Sequence, residues 1–278
     1  MYRKVPSSHS RCNFGAYPST SPVSLAACVS SLQESVTEFN IGPLIGSTFE
    51  AEIKYTQGVY DLCRRFNILF IADEIRMGVC RTGRFLSSDY LADGCKPDMI
   101  ILGKSITGGV YPASYILGKE DVMNVVGSRE IVQTFAFSPM AVAATTTMLE
   151  IVDDELLAEK ALKLSAMFLD RTQRCRWGSL LCVDFVTARG AELAIWFKSD
   201  RKENCQAVAL CCMQNGLLMF PKDNYLRMCP TLVMPEETFG RALDILGDAL
   251  IRHAGSLDTR GSADFLYASE EPPLRSLL

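Results

Sequence analysis

Between Thr56 and Asn67 the apolar residues Val59, Leu62, Cys63 and Phe66 recur every three or four positions, the period of an amphipathic helix. The period then changes. Ile68 to Ala72 is an unbroken apolar run that stops at Asp73 and Glu74, and Met99 to Leu102 is a second that stops at Gly103 and Lys104. Unbroken apolar strands are those buried on both faces, as in a parallel-rich α/β sheet flanked by helices. Functional groups collect at the carboxyl ends of such strands, where Asp73 and Lys104 both fall.

After Pro139 a helical pattern runs to about Gln173, with a break predicted near Asp153 and Asp154, where an Asp can cap a new helix. Strands are predicted at Leu180 to Val186 and Glu192 to Phe197, then a helix at Asn204 to Asn215 ended by Gly216. Leu217 to Phe220 and Tyr225 to Cys229 read as further strands, and Glu236 to His253 as a closing helix. This second part is an α+β unit. A domain boundary is therefore expected near residue 150: a partial α/β large domain over 1–150, a C-terminal small domain over 151–254, and a tail over 255–278 with little to bury.

Composition narrows the possibilities. A chain of 278 residues allows about two domains, and 48% hydrophobic with 22% charged residues excludes fibrous and disordered classes. The 28 basic and 32 acidic residues leave a net charge of −4, without the dense basic face that nucleic acid requires. No apolar run reaches membrane-spanning length, so neither nucleic acid nor membrane is an expected partner. The 11 cysteines include no C-x-x-C, and Cys63, Cys182, Cys211 and Cys229 lie in apolar segments where Cys acts as a small hydrophobe. That pattern fits a reducing compartment. His9 and His253 are isolated, so no metal site is expected. The first thirty residues carry Arg3, Lys4 and Arg11, many Ser and no acid. They resemble an organelle transit peptide in composition only, and the expected location is cytoplasmic.

Candidate chemistry concentrates at the strand ends. Gly103-Lys104-Ser105 is no phosphate loop, because the Gly that this motif requires five residues earlier is Asp98. The serine-hydrolase and dinucleotide fingerprints are also absent. There remain Asp73, Lys104 and, just beyond, Gly108-Gly109. A lysine amine that loses its proton can form a Schiff base with an aldehyde, and a carboxylate can keep a pyridine nitrogen protonated, which makes pyridoxal phosphate an electron sink. The plain alternative is a helix-capping Asp and a solvated Lys.

Four separated segments carry a resemblance: Leu69-Phe-Ile-Ala-Asp-Glu-Ile75, Arg81-Thr-Gly-Arg84, Lys96-Pro-Asp-Met-Ile-Ile-Leu-Gly-Lys104 and Gly108-Gly-Val-Tyr-Pro112. In order and spacing they resemble the class III pyridoxal-phosphate aminotransferases, the ornithine aminotransferases above all, from about Phe14 to about His253. The resemblance implies a type I fold, a homodimer with active sites at its interface, and transfer of ornithine's δ-amino group to 2-oxoglutarate. By position it implies that Lys104 is the Schiff-base lysine and Asp73 the partner of the cofactor's ring nitrogen. Thr134 would reach the cofactor phosphate of the neighbouring subunit, and Arg227 would take a substrate carboxylate, a task that suits a guanidinium fork.

This sequence also departs from the family. Arg76 stands where a Gln contacts the cofactor's phenolic oxygen. Gly42 to Ser47 replaces a segment with two glutamates, the second of which pairs with the carboxylate-binding arginine; Arg227 would then lack its usual partner. Phe135 to Pro139 replaces a Gly-rich stretch, which leads to an expectation of crowding near the cofactor. The turn that cradles the cofactor phosphate and the N-terminal substrate arm have no counterpart, so the chain reads as N-terminally truncated. Two functions stay open: an ornithine-type aminotransferase, or a catalytically impaired relative acting as a dimer or binding partner of a full-length homologue.

Overall fold

The computed structural model describes residues 38–41, 53–127 and 138–253. The first sheet holds β1 (Glu38–Ile41), β2 (Leu69–Asp73), β3 (Met99–Leu102) and β4 (Tyr115–Gly118), side by side in that order. β1, β2 and β3 run parallel, β4 runs antiparallel to β3, and a one-turn helix α2 (Glu120–Met123) follows β4. Phe70, Ile71 and Ala72 of β2 are all buried, as an unbroken apolar run requires. Helix α1 (Ile53–Arg65) lays Val59 and Cys63 against Ile68 and Phe70. It ends earlier than the periodicity predicts, because Asn67 turns left-handed at φ 53° and the Ile68 amide returns to the Cys63 carbonyl at 2.8 Å.

The second sheet is antiparallel throughout: β5 (Val183–Arg189), β6 (Glu192–Phe197), β7 (Phe220–Lys222) and β8 (Tyr225–Met228), in the spatial order β5-β6-β8-β7. On β6, Leu193, Ile195 and Phe197 are fully buried. They share a core with α4 (Leu157–Arg174), α5 (Lys202–Gln214) and α6 (Glu236–His253). Alternation puts Glu192, Ala194 and Trp196 on the opposite face. There Trp196 stacks between Phe185 and Tyr225, with centroids 5.2 and 4.4 Å away.

Two boundaries differ from the expected ones, each for a local reason. Leu180 to Cys182 belong to a turn after Trp177–Ser179, with the Val183 amide bonded to the Leu180 carbonyl at 3.0 Å, so β5 starts at Val183. Leu217 is tied back to α5 by its amide bond to the Cys212 carbonyl, 2.9 Å, so β7 starts only at Phe220. The helix break falls at Asp153 and Asp154 as expected, but no Asp caps the next helix: α3 (Pro139–Asp154) ends, and Leu156 at φ 51° starts α4 without a side-chain cap. Residue 150 itself lies inside α3, and one buried cluster joins Leu102 and Ile106 to Val152, Leu157 and Leu193. Among the described residues no helix is long and apolar enough to cross a membrane.

Asp98, at the entrance to β3, knots the first sheet. Its buried carboxylate accepts from Arg64 Nη1 at 3.0 Å, Lys119 Nζ at 2.7 Å and the Phe70 amide at 2.8 Å. Burial opposes the charge, but the hydrogen bonds from Arg64, Lys119 and Phe70 outweigh it, lowering the pKa from 3.8 to about 2. A carboxyl depressed in the folded state stabilises above its unfolded pKa and loses that contribution as pH falls through the folded value. Asp98→Asn should therefore lower stability by on the order of 2 kcal/mol at neutral pH. Denaturant titration across pH should show the gap to wild type closing as pH falls from 3.8 to about 2.

Candidate functional site

The register of the first sheet brings Asp73 opposite Ile101 on the neighbouring parallel strand. Both strands finish at the same edge. Asp73 is half-buried and its Oδ1 accepts from the Ile75 amide at 3.1 Å. Glu74, the next residue, points elsewhere, as strand alternation dictates. It is buried, and its carboxylate accepts the Ser87 and Ser88 amides at 3.0 and 2.7 Å. Burial pushes its pKa up, and its role is to staple the 87–88 turn beneath the strand ends.

Beyond β3, Gly103 packs on Ile75, where a Cβ would lie 3.3 Å from Cγ2. That contact holds together the loops following β2 and β3. Lys104 then opens a short turn over Lys104–Thr107, anchored by buried Ile106 and closed by Gly108 at φ 62°. Lys104 is exposed and left-handed, at φ 47°, a conformation that costs a non-glycine residue about 1 kcal/mol. The cost is sustained where the surrounding structure over-determines it.

A second constellation centres on Glu192, at the start of β6. The residue is 4% exposed. Its Oε1 accepts from Arg76, in the loop after β2, and from Arg227 Nε on β8 at 2.9 Å. Its Oε2 accepts from the Cys229 thiol at 2.9 Å. Burial opposes the charge on Arg227, but Glu192 outweighs it and raises that arginine's pKa. Cys229 is not the core hydrophobe its apolar segment suggests: the residue is exposed, while burial of the thiol and then Glu192 push its pKa to about 11.

Arg81 braces the cluster from below. Its Nη1 donates to the Pro230 carbonyl at 2.7 Å, and its own carbonyl accepts the Ala191 amide at 2.9 Å. Burial lowers its pKa, and Arg227 and Arg76 nearby lower it further against the pull of Cys229 and Glu192.

The predicted site residues thus fall into two groups. Asp73 and Lys104 share one sheet edge, Arg76 and Arg227 share one carboxylate, and Thr134 lies outside the described residues, as do Gly42 to Ser47. Arg227, expected to lack its usual partner, is paired with a different carboxylate, that of Glu192. Sequence reasoning missed Glu192 and Arg81. A lone acid among the apolar residues of Glu192–Phe197 is the signal that could have found the first, because a buried charge demands a partner.

The Aminotransferase class-III family model matches residues 44–250. The chain belongs to the class III aminotransferases. An ornithine aminotransferase of Plasmodium yoelii yoelii is 32% identical over 223 residues, 77% of this chain and 53% of the relative. The mitochondrial ornithine aminotransferase of Rattus norvegicus is 32% identical over 234 residues, 82% and 52% of the two chains. The ornithine aminotransferase of Toxoplasma gondii, whose active site holds pyridoxal phosphate at partial occupancy, superposes with a TM-score of 0.78 at 29% identity. That match covers 87% of this chain and 58% of the other. Acetylornithine aminotransferase from Elizabethkingia anophelis gives 0.75 at 28%, over 84% and 61%. The chain spans about half the length of the curated relatives it matches. Its mixed α/β architecture is that of the type I pyridoxal-phosphate aminotransferases.

The two halves of the site meet backbone to backbone at Gly190. Its φ is +54°, and a Cβ there would lie 2.5 Å from the Arg81 carbonyl oxygen. Gly190→Ala should push the β5–β6 turn off Arg81 and cost roughly 2 kcal/mol or more. Thermal unfolding should show the loss, while Asp184→Ala, at an exposed position of β5, leaves the midpoint within the scatter of surface substitutions.

Proposed function

We propose that the chain acts as a pyridoxal-phosphate-dependent aminotransferase of the ornithine type, taking the δ-amino group of L-ornithine to 2-oxoglutarate. The observation that carries the reading is the placement of an exposed amine, Lys104, and a half-buried carboxylate, Asp73, at the ends of adjacent parallel strands. That donor set fits the cofactor. Pyridoxal phosphate, when bound, supplies an aldehyde for the Lys104 amine and a protonated ring that draws electrons from the reacting carbon. Asp73 would hold the proton on the ring nitrogen, since a neighbouring carboxylate favours the charged form. Lys104 Nζ would take up and give back the proton of the carbon that bears the donor's amino group. Arg227 orients a substrate carboxylate through its planar fork. A dimer, with a second copy or a full-length homologue, and a cytoplasmic location go with this reading.

The alternative is an impaired aminotransferase-like binding partner. It is favoured by Arg76, which replaces a neutral amide of the family pattern and is committed to Glu192. One experiment separates the two readings. Protein incubated with pyridoxal phosphate and desalted should retain visible yellow absorbance, should lose it in Lys104→Ala, and should form glutamate semialdehyde from ornithine and 2-oxoglutarate. A colourless protein would overturn the enzyme reading. A yellow protein without turnover would favour the impaired partner.

A further inference from the structure

We infer that Glu74 is a positioning residue for Asp73: its carboxylate holds the loop that leaves β2 and so fixes the direction of the carboxylate that takes the cofactor's ring nitrogen. The inference rests on the reading of Asp73 and Lys104 as the pair that binds pyridoxal phosphate, and adds a residue that acts through one of them.

The geometry begins in the main chain. Asp73 lies opposite Ile101, and the amide of the next residue, Glu74, donates to the Ile101 carbonyl at 2.9 Å. The Glu74 carbonyl accepts the Gly78 amide at 2.9 Å, closing a turn so tight that a Cβ on Gly78 would lie 2.7 Å from that oxygen. Inside this turn the Ile75 amide donates to Asp73 Oδ1. The direction of the Asp73 carboxylate is thus tied to the peptide between Glu74 and Ile75. Whatever turns that peptide turns Asp73 with it.

The side chain of Glu74 closes the frame. It is buried, with Oε2 accepting the Ser87 amide and Oε1 the Ser88 amide. These donors are neutral, and Asp89 nearby repels the charge, so keeping a carboxylate here is costly. The pairing explains why the cost is borne. Two amides point at two oxygens, one each, and only a carboxylate accepts at both ends. A glutamine of the same length would set its NH2 against one of the two N–H groups. The residue that orients Asp73 is therefore held on one side by β3 and on the other by the 87–88 turn.

Two substitutions reach this bond from opposite ends. Glu74→Gln removes one acceptor. Ser87→Pro removes one donor and leaves residue 74 untouched. Ser87 opens the Ser87–Tyr90 turn and Leu86 before it is extended, at φ −117° and ψ 145°, so the backbone accepts a proline there.

In protein without added cofactor, hydrogen exchange at the Ile75 amide should quicken about tenfold in both variants, the worth of one hydrogen bond to a charged group. With pyridoxal phosphate added, both should bind it about tenfold more weakly than wild type. The visible band of their bound cofactor should titrate with pH where that of wild type stays level, because Asp73 no longer keeps the ring nitrogen protonated. Asp98→Asn separates this effect from a loss of stability, since it should lower the unfolding midpoint and leave the cofactor affinity of the folded protein at the wild-type value. Circular dichroism establishes that each variant is folded, and where Glu74→Gln is not, Ser87→Pro decides. Unchanged Ile75 exchange in Ser87→Pro overturns the inference, as does quickened exchange with cofactor affinity and band unchanged. Quickened exchange in a protein whose wild type never binds pyridoxal phosphate leaves Glu74 as the residue that orients Asp73 and sinks the aminotransferase reading alone.

Discussion

Glu192 is the point on which the arrangement of the two sheets turns. It starts a strand of the second sheet, yet one of its two arginine partners, Arg76, comes from the loop that leaves the first sheet at Asp73. A buried carboxylate left unpaired costs several kcal/mol, so the pairing of Glu192 holds the loop after β2 and the start of β6 in one relative position. The backbone contact of Ala191 with Arg81 and the close approach at Gly190 repeat the same junction in main-chain atoms. The ends of β2 and β3, and with them Asp73 and Lys104, are thus fixed against a second sheet by this ion pair, by main-chain contacts and by the buried cluster the two sheets share.

The strand ends depend on this frame in a second way. Parallel strands hide both faces, so polar groups can emerge only where the strands stop. Asp73 and Lys104 are such groups. Glu74, one residue on, is turned inward and consumed by two amides. The difference between a residue available for chemistry and one spent on architecture is here a single step along the pleat. Lys104 is kept on the open side by a left-handed backbone between Gly103, pressed on Ile75, and the closed turn that follows.

Much of this was legible in the sequence wherever the cause is local. The unbroken apolar runs before Asp73 and Lys104 announce strands, although only the first is buried along its length and Met99 to Ile101 of the second stay partly exposed, and the three-four period of Glu236–His253 marks α6 at both ends. Gly216 marks the end of α5 because its φ of +87° suits glycine. What could not be read has non-local causes. The place of the α3–α4 break was legible at Asp153 and Asp154, but its form was not, since Leu156 starts α4 at a positive φ that no residue preference favours. Arg76 and Glu192 are separated by 116 positions, and no spacing rule connects a loop arginine to a strand acid in another sheet. Cys229 sits in an apolar word, and only the neighbouring carboxylate makes it polar in role.

The substitutions that set this chain apart from the family pattern are therefore connected rather than independent. A glutamate that would partner Arg227 is absent from Gly42 to Ser47, and an arginine replaces a neutral residue at position 76. Taken singly, the first would strand a cation and the second would add one. Glu192 answers both, because a carboxylate has two oxygens and several lone-pair directions to divide among donors. Of the two guanidiniums that share it, Arg227 is the more exposed, at 31% of its side chain against 16% for Arg76. A site rewired in this way seals one arginine into the packing between the sheets and leaves the other with its terminal edge toward the outside.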